Sequence, residues 1–192
     1  MAIDTGLGVV CADLQATGGI SQIIIREWTN TDVVTYGAGT AHTITNIQTG
    51  GGDSAWFVYE FKNEVPTMTI NATKENGSTA FECGLSFYLP NMDAVKFEEL
   101  KNFENACMMG MALDTNGNWW TLGVSAKYAN EDVQSKSQTY LNLTGFEGGT
   151  GAAYSDENGI TVNLMARQFE LPREYAGTVT VDTSALTATA GA

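Results

Sequence analysis

Residues 112–124, ALDTNGNWWTLGV, have the spacing most suggestive of metal chemistry. Acidic and amide side chains alternate from Asp114 onward, and oxygen ligands at alternate positions are typical of the start of an EF-hand calcium loop. Such a loop also needs glycine at its sixth position, where this sequence has Trp119. The pair Asn116-Gly117 instead favours a type I′ hairpin turn, whose two central residues both have positive φ. We therefore expect a turn here and no metal site.

The other candidates for catalysis lack partners in the sequence. His42 is the only histidine, and neither a nucleophile elbow nor a second metal-ligating histidine accompanies it. Glu98 and Glu99 are adjacent on a predicted helix, so they point about 100° apart and cannot face one substrate as an acid–base pair. The segment TGGGDS, residues 49–54, lacks the lysine of a phosphate loop. We predict that the protein is not an enzyme and has no catalytic, cofactor-binding or metal-binding residues.

Two adjacent tryptophans raise the possibility of carbohydrate binding. Trp119 and Trp120 lie in a predicted strand, and neighbouring strand residues face opposite sides of a sheet. One ring could therefore stack on a sugar while the other enters the core. A carbohydrate-binding β module stays an alternative, as does a glycoside hydrolase, although the absence of an acid–base pair argues against the hydrolase.

Strand signals run through most of the chain. From Phe81 to Leu89, apolar side chains alternate with Glu82, Gly84, Ser86 and Tyr88, which is typical of a half-buried strand. Asn-Gly pairs, which favour turns, recur at residues 76–77 and 158–159. The predicted strands are 20–28, 40–47, 55–62, 65–73, 81–89, 106–113, 119–128, 138–147 and 160–169.

One helix is predicted, over residues 92–104. Asn91 is the expected N-cap, with Asp93 in the first turn. Lys96 falls within the apolar stripe, where its stem can lie over apolar surface while its amine reaches water. The stripe consists of Met92, Val95, Phe97, Leu100 and Phe103. The sequence predicts an all-β protein, an antiparallel sandwich or barrel with one flanking α-helix and a hairpin-based assembly surface.

The ends of the chain suggest association. Isoleucines occur on both faces of the strand that begins at Ile20, so this strand is either central in a sandwich or pressed against another subunit. We predict one β-sandwich domain over residues 1–171. The Thr- and Ala-rich remainder, 172–192, is expected to be either a disordered end or an arm that adds a strand to a neighbour.

Composition excludes several classes of function. With 22 acidic residues against 9 Lys and Arg, the 192-residue chain has a formal net charge of -13, which argues against gripping nucleic acid or an anionic membrane. No apolar run reaches membrane-spanning length, and residues 1–20 lack the pattern of a signal peptide. The scattered cysteines favour reduced thiols and synthesis in a cytosol; they are Cys11, Cys83 and Cys107.

The order of these segments resembles the bacteriophage tail tube proteins. The stretch CADLQATGGISQIIIREW, residues 11–28, is similar to a family pattern in which a Cys or acidic residue and a Gly-Gly step precede a strand. The stretches WFVYEF and FECGLSFYLP, the 92–104 helix and the hairpin MALDTNGNWWTLG follow in the order of that family. The likeness covers most of residues 7–170.

The resemblance implies a structural virion protein of the phage tail, synthesised in the host cytoplasm. Hexameric rings of such β-sandwich subunits stack into a tube that conducts DNA, which passes without specific binding, and hairpins from neighbouring subunits line the channel. The implied partners are further copies of the chain and other tail proteins such as sheath, baseplate or terminator, with no cofactor and no membrane insertion. We also expect the polar loops 48–54 or 129–138 to make contacts between rings or in the channel. A capsid decoration protein, another virion structural protein and the tube of a contractile injection apparatus are the alternatives.

Overall fold

The computed structural model describes residues 18–29, 32–38, 42–50, 55–61, 66–125, 139–153 and 156–191. Within these ranges the chain forms thirteen strands and one helix, which confirms the predicted all-β fold with a single helix. The strands are β1 Ile20–Glu27, β2 Val33–Tyr36, β3 Thr43–Gln48, β4 Trp56–Tyr59, β5 Thr67–Glu75, β6 Ser78–Pro90, β7 Met108–Asp114, β8 Trp119–Leu122, β9 Leu141–Gly149, β10 Gly159–Gln168, β11 Arg173–Tyr175, β12 Thr178–Asp182 and β13 Thr187–Gly191. The helix, α1, is Ala94–Asn105.

All thirteen strands belong to one branched sheet. Its longer path runs β12-β13-β4-β1-β7-β8-β11-β3-β2, and the branch leaves β7 through β9 and continues to β10, β6 and β5. The pairings are antiparallel except that β11 and β3 are parallel. The branch folds over one side of the central strands, and β2, β3 and β11 lie over the other side. A sandwich-like molecule with two cores results.

The central pair, β1 and β7, divides the two cores. Ile23 and Ile25 point into the first core and Ile24 points into the second, because successive strand residues face opposite sides. The isoleucine run therefore lies on a strand that is covered on both faces by the chain itself. The first core comprises Ile20, Ile23, Ile25, Cys83, Leu85, Phe87, Leu89, Leu100, Phe103, Met108, Ala112, Leu122, Leu141, Ile160, Val162, Leu164 and Ala166. The second comprises Ile24, Val34, Ile44, Ile47, Trp56, Val58, Met109, Met111, Val124, Tyr175 and Ala188.

The branch is a four-stranded antiparallel sheet in the order β5-β6-β10-β9, called the four-stranded sheet below. The predicted alternation along β6 is confirmed, since Cys83, Leu85 and Phe87 are buried while the residues between them are partly exposed. Asn76 and Gly77 join β5 to β6, and both have positive φ, as a type I′ turn requires. The four-stranded sheet thus has one apolar face, which covers the first core.

Helix α1 differs from its prediction in its cap and in its buried face. Its N-cap is Asp93, whose side chain accepts a hydrogen bond from the Lys96 backbone, and not Asn91. Leu100 and Phe103 are buried, but Val95 and Phe97 are exposed. Lys96 is partly buried beside these two residues, and its amine donates hydrogen bonds to the carbonyl oxygens of Pro90, which ends β6, and of Asn91, at 2.6 and 2.8 Å. Pairing of this amine with carbonyl oxygens lets a lysine occupy the inner side of the helix.

The C-terminal segment corrects the expectation for residues 172–192. Strand β11 pairs with β8 and β3, and β13 pairs with β12 and β4, so the described part of this segment belongs to the chain's own sheet. Ala188 lies opposite Trp56 and is buried in the second core. Backbone pairing and small side chains that fit against a buried tryptophan hold this Thr- and Ala-rich segment in the sheet.

Candidate assembly surface

The DTNGN segment forms a turn organised by one carboxylate. Asp114 accepts hydrogen bonds from the backbone N–H groups of Asn116 and Asn118 at 2.9 and 2.8 Å. It also accepts them from the Asn118 amide at 3.1 Å and from the Trp120 indole at 3.0 Å. The predicted hairpin is confirmed, but its turn type is different. Gly117 has positive φ while Asn116 does not, and Gly117 N–H donates to the Asp114 carbonyl, which is the pattern of a type I turn followed by a bulged glycine.

Ionisation of Asp114 makes the stability of the protein depend on pH. Burial by itself raises the pKa of the Asp114 carboxyl, but the hydrogen bonds from Asn118, Trp120 and Asn116 outweigh burial and lower the pKa below its usual value. A carboxyl with a lowered folded-state pKa stabilises the protein above its unfolded pKa of about 4, and this contribution is lost as pH falls through the folded pKa.

We expect Asp114→Asn to reduce the free energy of unfolding by about 1–2 kcal/mol at pH 6, because charge-assisted hydrogen bonds are lost. The difference from the wild type should narrow as pH falls below about 4. Urea denaturation at a series of pH values measures both quantities. A difference that stays constant from pH 6 to pH 3 would contradict this role.

The remaining candidate residues are dispersed over the molecule. His42 is exposed just before β3, and its Nε2 lies 3.0 Å from the Leu171 carbonyl oxygen. Glu99 accepts a hydrogen bond from the Tyr59 hydroxyl at 2.6 Å, which ties α1 to β4. Trp119 packs against the second core while Trp120 bonds Asp114. The structure brings none of these residues together as a catalytic group.

For metal binding, membrane spanning and the polar loops, the findings concern only the described residues. Among the described residues, no three or more His, Cys, Asp or Glu side chains are grouped so that they could hold a metal ion. The described part of the chain contains no helix with the length and apolar character needed to cross a bilayer. Residues 51–54 and 126–138, which include most of the two polar loops, and Cys11 lie outside the described residues.

A buried ion pair fixes the loops next to β1 and β3. The Arg26 guanidinium lies 2.9 and 3.0 Å from the two carboxylate oxygens of Asp32, and both side chains are at most 2% exposed. Asp32 also accepts backbone N–H groups from Thr29 and Gly50 at 2.9 and 3.1 Å. The Arg26 guanidinium lies over the Trp56 ring, 5.8 Å from its centroid. Burial lowers the pKa of Arg26, and the charge of Asp32 opposes that effect.

The two outer strands of the four-stranded sheet leave backbone unpaired in the described structure. Within the described residues, β5 pairs with β6 alone, and β9 pairs outside β10 only where Leu141 meets Met108. Each of these strands is nine residues long. Unpaired strand edges of this length are templates for pairing with another chain.

The register identifies which β5 groups face outward. A two-residue turn makes the flanking pair, 75 and 78, a hydrogen-bonded pair, and such pairs alternate along an antiparallel ladder. Residues 67, 69, 71 and 73 therefore exchange hydrogen bonds with β6. The N–H groups of Met68, Ile70, Ala72 and Lys74 point toward the unpaired edge.

The face of the four-stranded sheet away from the first core is polar. Of the described side chains that the register places on this face, Arg167 is the one cation, and it pairs with Glu82 at 2.6 Å. Ser86 donates a hydrogen bond to Asn163 at 2.8 Å. The face also carries Thr67, Thr69, Asn71, Thr73, Gly84, Thr161 and Glu147, together with the larger side chains of Met165 and Tyr88. A surface of this composition offers little to hold phosphates.

An apolar groove lies beside β5, on the core side of the sheet. It has a volume of about 400 Å³ and is bordered by β5, residues 18–20 and the β7–β8 turn. Its apolar lining includes Ile20, Pro66, Met68, Ile70 and Trp120. Ile70 is 43% exposed, and on the opposite edge strand, β9, Phe146 is 49% exposed. Neither residue stands out in the sequence, because an apolar residue on an edge strand has the same alternating pattern as one on a central strand.

Comparison with known proteins assigns no family to the chain. No known family model matches the sequence, and no curated protein is significantly similar to it.

Proposed function

We propose that the protein is a structural subunit that associates edge to edge into rings, which stack into a hollow tube of the bacteriophage tail type. The observation that carries this proposal is that, among the described residues, the outer edge of β5 has no partner strand and the outer edge of β9 has none beyond the pair of Leu141 with Met108. Pairing β9 of one copy with β5 of the next satisfies both edges with one kind of contact.

The strand directions suit such a ring. Three successive antiparallel pairings separate β5 from β9, so the two edge strands run in opposite directions. A copy related by rotation about an axis along the strands therefore presents its β9 antiparallel to β5 of its neighbour. The pattern repeats until the ring closes into a barrel, and six copies, the number implied by the tail-tube resemblance, would enclose a wide channel.

The polar face suits the inside of that channel. Helix α1 and the first core cover the apolar face of the sheet, which leaves the polar face to line the lumen. Because its cation Arg167 is already paired with Glu82, this wall would let DNA pass without binding it. Sheath, baseplate or terminator proteins of the tail would then contact the outside and the ends of the tube.

Sedimentation velocity and negative-stain electron microscopy of the concentrated protein test this proposal. We expect rings with a central hole and tubes built from stacked rings. Caps or trimers would favour a capsid decoration protein. A monomer at every concentration and ionic strength would refute self-assembly.

Salt is expected to promote assembly. Each subunit carries a formal net charge of -13, so subunits repel one another, and raising the ionic strength from about 0.01 to 1 M shortens the Debye length from about 30 to 3 Å. At a fixed protein concentration, light scattering should therefore rise across a sodium chloride series. Scattering that stays flat or falls would contradict this prediction, and bovine serum albumin at the same concentrations controls for salting-out.

A further inference from the structure

We infer that Phe146 of each subunit inserts into the apolar groove beside β5 of the next subunit. This contact rests on the proposed edge-to-edge ring and names the side chains that would fix its register. Among protein contacts, strand addition draws its affinity from backbone hydrogen bonds, and its specificity comes from pockets that receive alternate side chains.

Phe146 lies on the side of the sheet that such a contact requires. It is paired with Val162, which is buried in the first core, so both side chains lie on the same face. Val162 is fully covered, whereas Phe146 is 49% exposed on the edge strand. An added strand beyond β9 would cover this ring and remove its apolar surface from water.

The groove lies on the same side at the other end of the sheet. Ile70 is paired with Cys83 and Met68 with Leu85, and both of these β6 residues are buried in the first core. Side chains on the core side of an added strand would therefore enter the groove between β5 and Trp120. The Asp114 carboxylate, which borders the groove, already accepts hydrogen bonds from Asn118 and Trp120, so the groove suits an apolar side chain.

Phe146 and the groove beside β5 also lie at similar positions along the strand direction. Phe146 is level with Val162, Val162 is level with Phe87, and continuation of the β5–β6 register places Phe87 level with Pro66. Pro66 is at one end of the groove and Ile70 is farther along it. If the neighbouring subunit is aligned without stagger, its β5 groove meets the Phe146 ring. Barrel closure requires some stagger, and a shift of up to about four residues in one direction still brings the ring to the groove.

Two single variants test this contact by complementation. Phe146→Lys places a charge against an intact groove, and Ile70→Glu places a charge in the groove against an intact phenylalanine. Each variant alone should need at least about a tenfold higher concentration to assemble. In an equimolar mixture, lysine meets glutamate at one interface and phenylalanine meets the intact groove at the next, so alternating copies should assemble at a lower concentration than either variant alone.

The controls distinguish a wrong Phe146 contact from a failure of the proposed ring assembly. Phe57→Lys changes a phenylalanine of equal exposure, 49%, on β4 and should assemble like the wild type. Both test sites are partly exposed, and circular dichroism of the monomers verifies that the variants fold. If the wild type forms rings and the mixture assembles no better than its components, the Phe146 contact is wrong while the proposed function stands. If the wild type forms no rings, the proposed function itself fails.

Discussion

Ala72→Pro is expected to yield a folded monomer that does not assemble at concentrations at which the wild-type protein forms rings. The Ala72 N–H points toward the unpaired edge of β5, so proline there removes a donor that the β5–β6 ladder does not use. The same change deletes one hydrogen bond to a docking strand and places a pyrrolidine ring against it. Sedimentation velocity measures the loss, and the free energy of unfolding of the monomer should change by less than about 1 kcal/mol.

Ala72→Thr is the matched control for this substitution. Threonine keeps the backbone N–H and has a high strand propensity, so rings should form as they do in the wild type. Rings formed by Ala72→Pro at the wild-type concentration would show that β5 is not an assembly edge. Because both variants alter the same exposed residue, the comparison isolates the backbone donor from any effect of the side chain.

Asp32→Ala should destabilise the fold by about 3–5 kcal/mol, the cost of removing one partner of a buried ion pair. Alanine removes the Asp32 carboxylate, which pairs with the buried Arg26 charge and accepts hydrogen bonds from the N–H groups of Thr29 and Gly50. A domain of ordinary stability unfolds at a much lower denaturant concentration after such a loss. Guanidinium denaturation followed by tryptophan fluorescence measures the change.

The exposed pair of Arg167 and Glu82 provides the comparison. Its guanidinium-bearing side chain is 70% exposed, so Glu82→Ala should cost about 0.2–1 kcal/mol. Equal losses in Asp32→Ala and Glu82→Ala would mean that burial of the first pair has no energetic consequence. Gly50 lies in the 48–54 loop and donates a hydrogen bond to Asp32, so a deletion in this loop would also disturb the Arg26–Asp32 pair.

The sequence predicted the fold correctly where a single local pattern, such as alternation of apolar residues or an Asn-Gly pair, determines the structure. Alternation along β6 predicted its buried face, and the isoleucine run predicted a strand covered on both sides. The Asn-Gly rule held at residues 76–77, where two strands meet directly. It failed at 116–117, because the Asp114 carboxylate binds the following N–H groups and stabilises a longer turn.

Other features depend on contacts that are distant in sequence. Lys96 lies beside the buried face of α1 because its amine donates hydrogen bonds to the carbonyl oxygens of Pro90 and Asn91, and helical periodicity does not predict these bonds. The C-terminal strands depend on the fit of Ala188 against Trp56, more than 130 residues apart in the chain. Strand β2 was not predicted, because its four residues, VVTY, do not alternate between apolar and polar side chains. The positions of β5 and β9 at the two edges of the four-stranded sheet, as far as the described residues show, depend on the order in which the strands pair, and the sequence pattern of a single strand does not reveal that order.

The shared wall formed by β1 and β7 has a mechanical consequence. Because Ile23 and Ile24 project into different cores from adjacent positions, neither half of the molecule can detach without breaking the strand that supports the other. Heat or tension should therefore disrupt the subunit in a single step, with no half-open intermediate that survives. A tube assembled from such subunits would keep a constant channel diameter under mechanical stress until entire subunits unfolded.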